Sequence, residues 1–148
     1  MPDPERPHVD VVDSTWVAAR PSVVADAVAD ASNWRRWWPG LELRVDENRN
    51  DKGMRWFVTS VDADLGARLS GTAEVWLEPM FEGTVAHFFL RLDPAPGTPF
   101  DRRERERVTR KYRVLTKQAF WTLADKIDPG RMDRHTSASN GSLTADAG

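Results

Sequence analysis

The sequence has 148 residues and a net charge of −2 at neutral pH, and 40% of its residues are hydrophobic and 30% charged. This length and composition fit one soluble domain with one core. It contains no cysteine, which excludes disulfides, cysteine nucleophiles and cysteine-ligated zinc, and makes a reducing cytoplasm the expected location. No stretch approaches the roughly 18 consecutive apolar residues that a membrane span requires, so we expect no stable membrane insertion. The polar, proline-rich N-terminus does not have the pattern of a signal peptide.

Tryptophan is the most informative residue type, with seven tryptophans beside one tyrosine and six phenylalanines. Each tryptophan can bury about 150–250 Å² and prefers a partner for its indole N–H. Seven exceed what packing alone demands in a domain of this size. They favour a broad amphipathic internal surface, with a solid tryptophan-rich core as the alternative.

The N-terminal part predicts one strand followed by two short helices. Residues 9–19 are rich in β-branched side chains and partly alternate, which is typical of a strand. Pro21 suits the first turn of a helix, and a second short helix over 33–38 should end at Pro39-Gly40. The first helix has a buried stripe at helical spacing, formed by Val24, Ala27, Val28 and Ala31.

The remainder predicts four strands and one long helix. Turn residues at 50–53 and at Glu82-Gly83 separate segments that should pair as antiparallel neighbours. From Arg102 to Ile127 nothing interrupts a helix, which would be roughly 37 Å long and able to cross a sheet. Its apolar stripe consists of Val108, Tyr112, Leu115, Ala119, Leu123 and Ile127, with Phe120 beside it. The extended segments are residues 41–48, 54–61, 69–78 and 84–93, and residues 93–99 form a loop.

This order of elements predicts an α+β domain in which the long helix covers the apolar face of an antiparallel sheet and the two short helices close one end. We expect the domain to span residues 8–128. Residues 1–7 and 129–148 are expected to be disordered, because the C-terminal segment especially has too few apolar residues to form a core.

Residues 15–40 resemble the opening of START-like polyketide cyclase/dehydrase and lipid-transport proteins of the SRPBCC superfamily. The shared pattern is a strand ending before Pro21, a valine-containing helix, and then Asp30 and Trp34 ahead of Pro39. Residues 53–56 and 74–79 resemble an actinobacterial subgroup. The resemblance implies the helix-grip fold, with a curved sheet around the C-terminal helix. Helix-grip domains often have six strands after the short helices, whereas four are counted here, so we expect a reduced sheet and a smaller cavity.

Alternation divides the last strands into an apolar and a polar face, and the apolar face should point toward the long helix and a ligand cavity. Trp34, Trp37 and Trp38 either fix the short helices to the sheet, or at least one of them forms a lid over the mouth of the cavity. Tyr112 either donates its hydroxyl to a ligand or, as we expect, holds it in water at the sheet edge. The predicted ligand-binding residues are Trp37, Trp38, Trp56, Val58, Val75, Phe88, Leu90, Tyr112, Leu115 and Ala119.

The polar face has two interpretations. Arg55, Glu74, His87 and Arg91 could form cross-strand polar pairs in solvent, which are worth about 0.2–1 kcal/mol each. Alternatively, Glu74 and His87 could lie inside as a catalytic acid–base pair for an aldol-type cyclisation or dehydration. Burial of such charges costs several kcal/mol per ion unless they are paired, which favours the first interpretation.

A third hypothesis is protein interaction, through the basic helix or through an aromatic sheet face formed by Phe57, Trp76 and Phe89. Residues 102–117 carry eight basic and two acidic side chains, which could bind an anionic headgroup or partner. No recognition motif accompanies this charge, so nucleic-acid binding is not expected. Three scattered histidines predict no metal site, and no cofactor motif is present. Whether the chain forms a homodimer through an exposed sheet stays open.

The primary functional hypothesis is a carrier or sensor that holds a lipid or polyketide-like molecule in an internal cavity; the alternative is a cyclase or dehydrase. Voids cost about 24 cal/mol per Å³, so an empty apolar cavity of ~300 Å³ would cost roughly 7 kcal/mol. That rivals the total stability of a domain. We therefore expect a cavity that is small, occupied, or closed when empty.

Overall fold

The computed structural model describes residues 9–60 and 68–127. The segments predicted to be disordered, 1–7 and 129–148, lie outside the described residues, as does His8 at the expected domain start. The elements in chain order are β1 (Val9–Val17), α1 (Pro21–Ala29), α2 (Ala31–Trp37), β2 (Leu41–Asn48), a 3₁₀ turn (Asn50–Lys52), β3 (Gly53–Ser60), β4 (Leu69–Met80), β5 (Gly83–Pro94) and α3 (Arg102–Ile127).

The five strands form one antiparallel sheet in the order β1-β5-β4-β3-β2. The N-terminal strand β1 pairs with the last strand β5, from Val9 opposite Leu92 to Val17 opposite Thr84. The predicted helix-grip fold is therefore confirmed, including the four strands that follow the short helices. This strand order brings the two ends of the domain together at one edge of the sheet.

The hairpin between β4 and β5 differs in detail from the prediction. The turn residues are Phe81 and Glu82 rather than Glu82 and Gly83, since Met80 pairs directly with Gly83. Both turn residues have positive φ, 51° and 59°, which is the backbone of a two-residue turn whose twist matches the flanking strands. The tight turn lets β4 and β5 extend to 12 residues each.

The face of the sheet toward α3, called the inner face, is apolar as predicted. Its residues on β3, β4 and β5 are buried, whereas their neighbours on the opposite, outer face are mostly half-buried or exposed. The inner face comprises Met54, Trp56, Val58, Ala73, Val75, Leu77, Ala86, Phe88, Leu90 and Leu92.

The long helix α3 has 26 residues and packs chiefly against β1. Asp101 begins it by accepting a hydrogen bond from the backbone N–H of Glu104 (2.8 Å), which satisfies one of the free donors of the first turn. The buried side of the helix consists of Val108, Tyr112, Thr116, Ala119, Phe120, Leu123 and Ala124. Leu115 and Ile127, which the apolar stripe also predicted to be buried, lie partly buried at its margin.

The two short helices are separated by Asp30, which adopts an extended backbone and starts α2 two residues before the predicted position. Its carboxylate Oδ1 accepts hydrogen bonds from the backbone N–H and the hydroxyl of Ser32. Val24 and Val28 of α1 are fully buried, as predicted. Ala31 is instead exposed, because α2 turns away from the stripe at this point. Gly40, with φ of 93°, turns the chain from α2 into β2.

Candidate ligand-binding site

A cluster of aromatic rings occupies the interior between the inner face of the sheet and the helices. Trp38 lies at its centre and stacks on Phe88 with ring centroids 4.9 Å apart. Trp38 also forms edge-to-face pairs with Trp37 and Trp56, with ring centroids 5.5 Å and 6.1 Å apart. Phe88 forms a further edge-to-face pair with Phe120, with centroids 5.9 Å apart. Rings therefore fill the space in which the sequence predicted a cavity. This part of the interior is therefore the solid tryptophan-rich core that was the alternative interpretation of the sequence. A filled interior avoids the free-energy cost of an empty apolar void.

Hydrogen bonds fix two of these tryptophans. The buried indole N–H of Trp38 donates to the hydroxyl of Thr116 on α3 at 3.1 Å. Trp34, which contacts Trp56 edge to face, donates to the carbonyl of Val28 at 2.7 Å. The indole N–H of Trp56 is buried and has no hydrogen-bond partner among the described residues. Trp34 and Trp38 thus join the short helices to the core, as the first of the two interpretations proposed.

The environment of Tyr112 differs from the expectation. We expected its hydroxyl in water at the sheet edge, but the side chain is fully buried on α3. The ammonium group of Lys111 lies 5.8 Å from the ring centroid. Position 112 lies on the buried side of the helix, one turn after Val108 and one turn before Thr116.

A cleft of about 210 Å³ opens between α2 and α3, and we call it the α2–α3 cleft. Its apolar surface includes Trp37, which is only 6% exposed and passes from the cleft to the edge of Trp38. The cleft therefore reaches the aromatic cluster through a single ring. Its lining residues are Asn33, Arg36, Trp37, Leu115, Gln118, Ala119, Thr122, Leu123 and Lys126.

The polar part of the α2–α3 cleft is positively charged. Arg36 lies in the last turn of α2 and Lys126 in the last turn of α3, where cations interact favourably with the helix dipoles. Arg36 donates a hydrogen bond to the side-chain oxygen of Asn33. The nearby acid Asp30 does not line the cleft; hydrogen bonds from Ser32 lower its pKa, with smaller contributions from Lys126 and Arg36.

A second, wider cleft of about 530 Å³ lies on the other side of α2, toward β2. It is open, and Trp34 and Trp38 form part of its wall between the charged side chains of Arg35 and Glu42. Beyond this cleft β2 is mostly exposed. Trp37 and Trp38, adjacent in sequence, thus face two different clefts.

The predicted ligand-binding residues fall into three groups. Trp37, Leu115 and Ala119 line the α2–α3 cleft, and Trp38 lines the second cleft. Trp38, Trp56 and Phe88 form the aromatic cluster between them. The others are buried in the core without lining either cleft, namely Val58, Val75, Leu90 and Tyr112.

The sequence missed the polar residues of the α2–α3 cleft, chiefly Arg36 and Lys126. One signal was available: Gln118, Thr122 and Lys126 recur at i, i+4 spacing directly beside the apolar stripe of α3, and so form one polar flank. No sequence feature connects that flank to α2, which lies about 80–90 residues earlier in the chain. Only the fold brings the two together.

Glu74 and His87 lie on the outer face and not in the interior, and each has its own partner. Glu74 pairs with Arg49, whose pKa is raised by hydrogen bonds to Glu47 and Glu74. The two ring nitrogens of His87 contact the Ser14 hydroxyl at 2.7 Å and the Glu78 carboxylate at 3.1 Å.

The internal acid–base pair of the enzyme hypothesis is therefore not formed, because strand alternation places positions 74 and 87 on the side opposite the core. Arg55 and Arg91 also lie on this face, where Arg55 pairs with Asp46 at 3.2 Å. The first interpretation, polar pairs on the solvent side of the sheet, therefore applies to these side chains. Charged groups here avoid the desolvation penalty that burial would impose.

The outer face also exposes aromatic side chains. Trp76 is 54% and Phe57 42% exposed, whereas Phe89 is half-buried. Within the described residues, no group of three or more His, Asp or Glu side chains is arranged to hold a metal ion. None of the helices in residues 9–60 and 68–127 is long and apolar enough to cross a membrane.

The sequence matches no family model and no curated protein. Its fold is similar to solved structures at low sequence identity. Protein MLL2253 from Mesorhizobium loti is 13% identical with a TM-score of 0.60, over 81% of this chain and 97% of that one. CalU16 from Micromonospora echinospora is 14% identical with a TM-score of 0.55, over 84% and 79% of the two chains.

A third neighbour is the di-domain ARO/CYC StfQ from the steffimycin biosynthetic pathway, which is 15% identical with a TM-score of 0.50. The similarity covers 84% of this chain and 52% of StfQ. At such identities the comparison concerns the fold alone. That fold is the helix-grip arrangement expected from the sequence.

Proposed function

We propose that this protein is a member of the SRPBCC superfamily that binds a hydrophobic small molecule, as a carrier or sensor, and that the α2–α3 cleft is where the molecule enters. The observation that carries the proposal is the continuity between this cleft and the aromatic cluster through Trp37. Small-molecule sites are mostly apolar clefts with a few convergent polar groups, and this cleft has that composition.

The volume of the cleft sets a condition on binding. Ligand sites usually measure about 300–1,000 Å³, and the α2–α3 cleft is smaller at about 210 Å³. Rotation of the Trp37 ring would enlarge it toward Trp38 without breaking the Trp38–Thr116 hydrogen bond. Such a site stays closed when empty, which avoids the free-energy cost of a permanent void.

The ligand class follows from the resemblance of residues 15–40 to polyketide cyclase/dehydrase and lipid-transport proteins, and of residues 53–56 and 74–79 to their actinobacterial subgroup. The similarity to an ARO/CYC protein of a biosynthetic pathway supports a polyketide-like aromatic, and a lipid is the other expected class. A cytoplasmic location fits the absence of cysteine.

The test is a thermal-shift screen of the full chain with fatty acids, polyketides and sterols. A ligand present at 100 times its Kd should stabilise the fold by about 2.7 kcal/mol and raise the Tm. Trp37→Ala should change the affinity of any hit. Glu74→Gln and His87→Gln should not, because both side chains lie on the outer face of the sheet. If the Tm stays constant with all three ligand classes, the result counts against the proposal. Organic extraction of the recombinant protein, followed by mass spectrometry, can identify a molecule that co-purifies with it.

Protein interaction is a second candidate function, favoured by the exposure of Trp76 and Phe57 on the outer face. Large aromatic side chains bury much apolar area on association, and they are enriched at protein interfaces. A homodimer is the simplest assembly through such a face. The two functions are compatible, because the outer face and the α2–α3 cleft lie on opposite sides of the sheet.

A further inference from the structure

We infer that the α2–α3 cleft selects hydrophobic molecules that carry an anionic group, a carboxylate or a phosphate, rather than neutral ones. The inference rests on the proposed function and adds the chemistry of the ligand. It follows from how the two cations of the cleft, Arg36 and Lys126, are placed and from what surrounds them.

Both cations keep hydrogen-bonding capacity for a ligand. Neither Arg36 nor Lys126 forms an ion pair with another residue of the described part of the chain. Arg36 donates to the neutral side chain of Asn33, which uses part of a guanidinium that has five N–H donors. A carboxylate or phosphate at the rim of the cleft could accept from the remaining donors and from the Lys126 ammonium group.

Asp30, the acid that interacts electrostatically with both cations, lies outside the lining of the cleft. Asp30 is exposed, does not line the cleft, and its Oδ1 already accepts two hydrogen bonds from Ser32. Its electrostatic interaction with Lys126 and Arg36 is only a minor cause of its lowered pKa. Among the residues that the structure describes, the lining of the cleft therefore carries two positive charges and no carboxylate.

The apolar part of the cleft explains why a simple inorganic anion would not suffice. Below the two cations lie Trp37, Leu115, Ala119 and Leu123, all buried or partly buried. A chain or ring in contact with this surface gains hydrophobic free energy, while an attached anion stays near water at the rim. A neutral sterol or alcohol would contact the apolar surface but would place no negative charge beside Arg36 and Lys126.

Stabilisation of the helix dipoles is the alternative role of Arg36 and Lys126, since each lies in the last turn of its helix. That role concerns the stability of the fold and is independent of ligand charge. The two roles are separated by comparing ligands that share one apolar chain and differ in the head group. Decanoate, decyl phosphate and decanol form such a set.

The experiment measures Kd by calorimetry for the three ligands with the full-length wild type, Arg36→Gln, Lys126→Gln and the double variant. Arg113→Gln is the matched control, because Arg113 is an exposed cation of α3 outside the cleft. We expect decanoate or decyl phosphate to bind at least tenfold more tightly than decanol. Each cleft substitution should weaken anion binding about fivefold and leave decanol unchanged. Raising the salt concentration should weaken anion binding only.

The contrary results are distinct. If decanol binds as tightly as the anions, or if Arg113→Gln weakens anion binding as much as the cleft variants do, the inference is wrong and the proposed function stands. If none of the three compounds binds wild type and the wider thermal-shift screen is also negative, the proposed function itself fails. Circular dichroism and Tm of each variant establish that a loss of affinity is not a loss of fold.

Discussion

Trp38 lies at the centre of the aromatic cluster. It is fully buried, stacks on Phe88, contacts Trp37 and Trp56, and donates its indole N–H to Thr116. Its position just after α2 lets one side chain connect the short helices, the sheet and α3. A large aromatic ring in this position contributes dispersion and hydrophobic free energy to all three layers at once.

We predict that the hydroxyl of Thr116 contributes measurably to the free energy of unfolding. Thr116→Val keeps the shape of the side chain but leaves the indole N–H of Trp38 buried without an acceptor. We expect a loss of about 1–3 kcal/mol in the free energy of unfolding, measured by urea denaturation. Thr122→Val, an exposed position on the same helix, should change stability by no more than about 0.5 kcal/mol. Equal effects at both positions would show that the hydrogen bond contributes nothing specific.

At the scale of elements, Gly71 determines how closely β4 and β5 can pair. It lies in β4 opposite Leu92 of β5 and Val58 of β3. A Cβ atom at this position would lie 1.8 Å from the backbone oxygen of Arg91, far inside contact distance. Because the obstruction is backbone and not a flexible side chain, the strands themselves would have to move apart.

Gly71→Ala is therefore expected to destabilise the sheet strongly, by about 3 kcal/mol, the upper end for overpacking. The measurement is again the urea midpoint, together with amide exchange of β4 and β5. Ser70→Ala on the exposed side of the same strand serves as the control and should stay within about 0.5 kcal/mol of wild type. A variant at position 71 as stable as the control would mean that the strands accommodate the methyl group easily.

For the whole molecule, the sheet has two surfaces of different character. The inner face is covered by the three helices, whereas the outer face combines paired charges with exposed Trp76 and Phe57. Large aromatic side chains are enriched at protein interfaces, where they bury much apolar area. Opposite charges are interspersed across the outer face, so two copies can approach without strong net repulsion.

We expect the protein to self-associate through the outer face at high concentration. Sedimentation velocity should show a sedimentation coefficient that rises with concentration for wild type and for Trp121→Ser. It should stay constant for Trp76→Ser. Trp121 is the matched control because it is 52% exposed but lies on α3, on the other side of the sheet. A monomeric wild type at every concentration would exclude the outer face as a dimer interface.

The prediction of the fold from the sequence succeeded where the signal is local. Alternation along β3, β4 and β5 has a period of two, so it assigns each residue to the inner or outer face without knowledge of the partner strand. The absence of helix-breaking residues from 102 to 127, with an apolar stripe from Val108 to Ile127, likewise predicted α3. The prediction was wrong for the hairpin at Phe81-Glu82, because neither residue is a usual choice for positive φ.

The order of elements and the two faces of the sheet were predictable because each depends on side-chain periodicity within one segment. The aromatic interior was predictable from the seven tryptophans. The folded structure was needed to show that the rings of Trp38, Trp56 and Phe88 fill that interior, and that Arg36 and Lys126 line the same cleft. Those facts depend on how α2, α3 and the sheet are placed relative to one another. Contacts between residues far apart in the chain follow from packing of the whole domain, which no local pattern encodes.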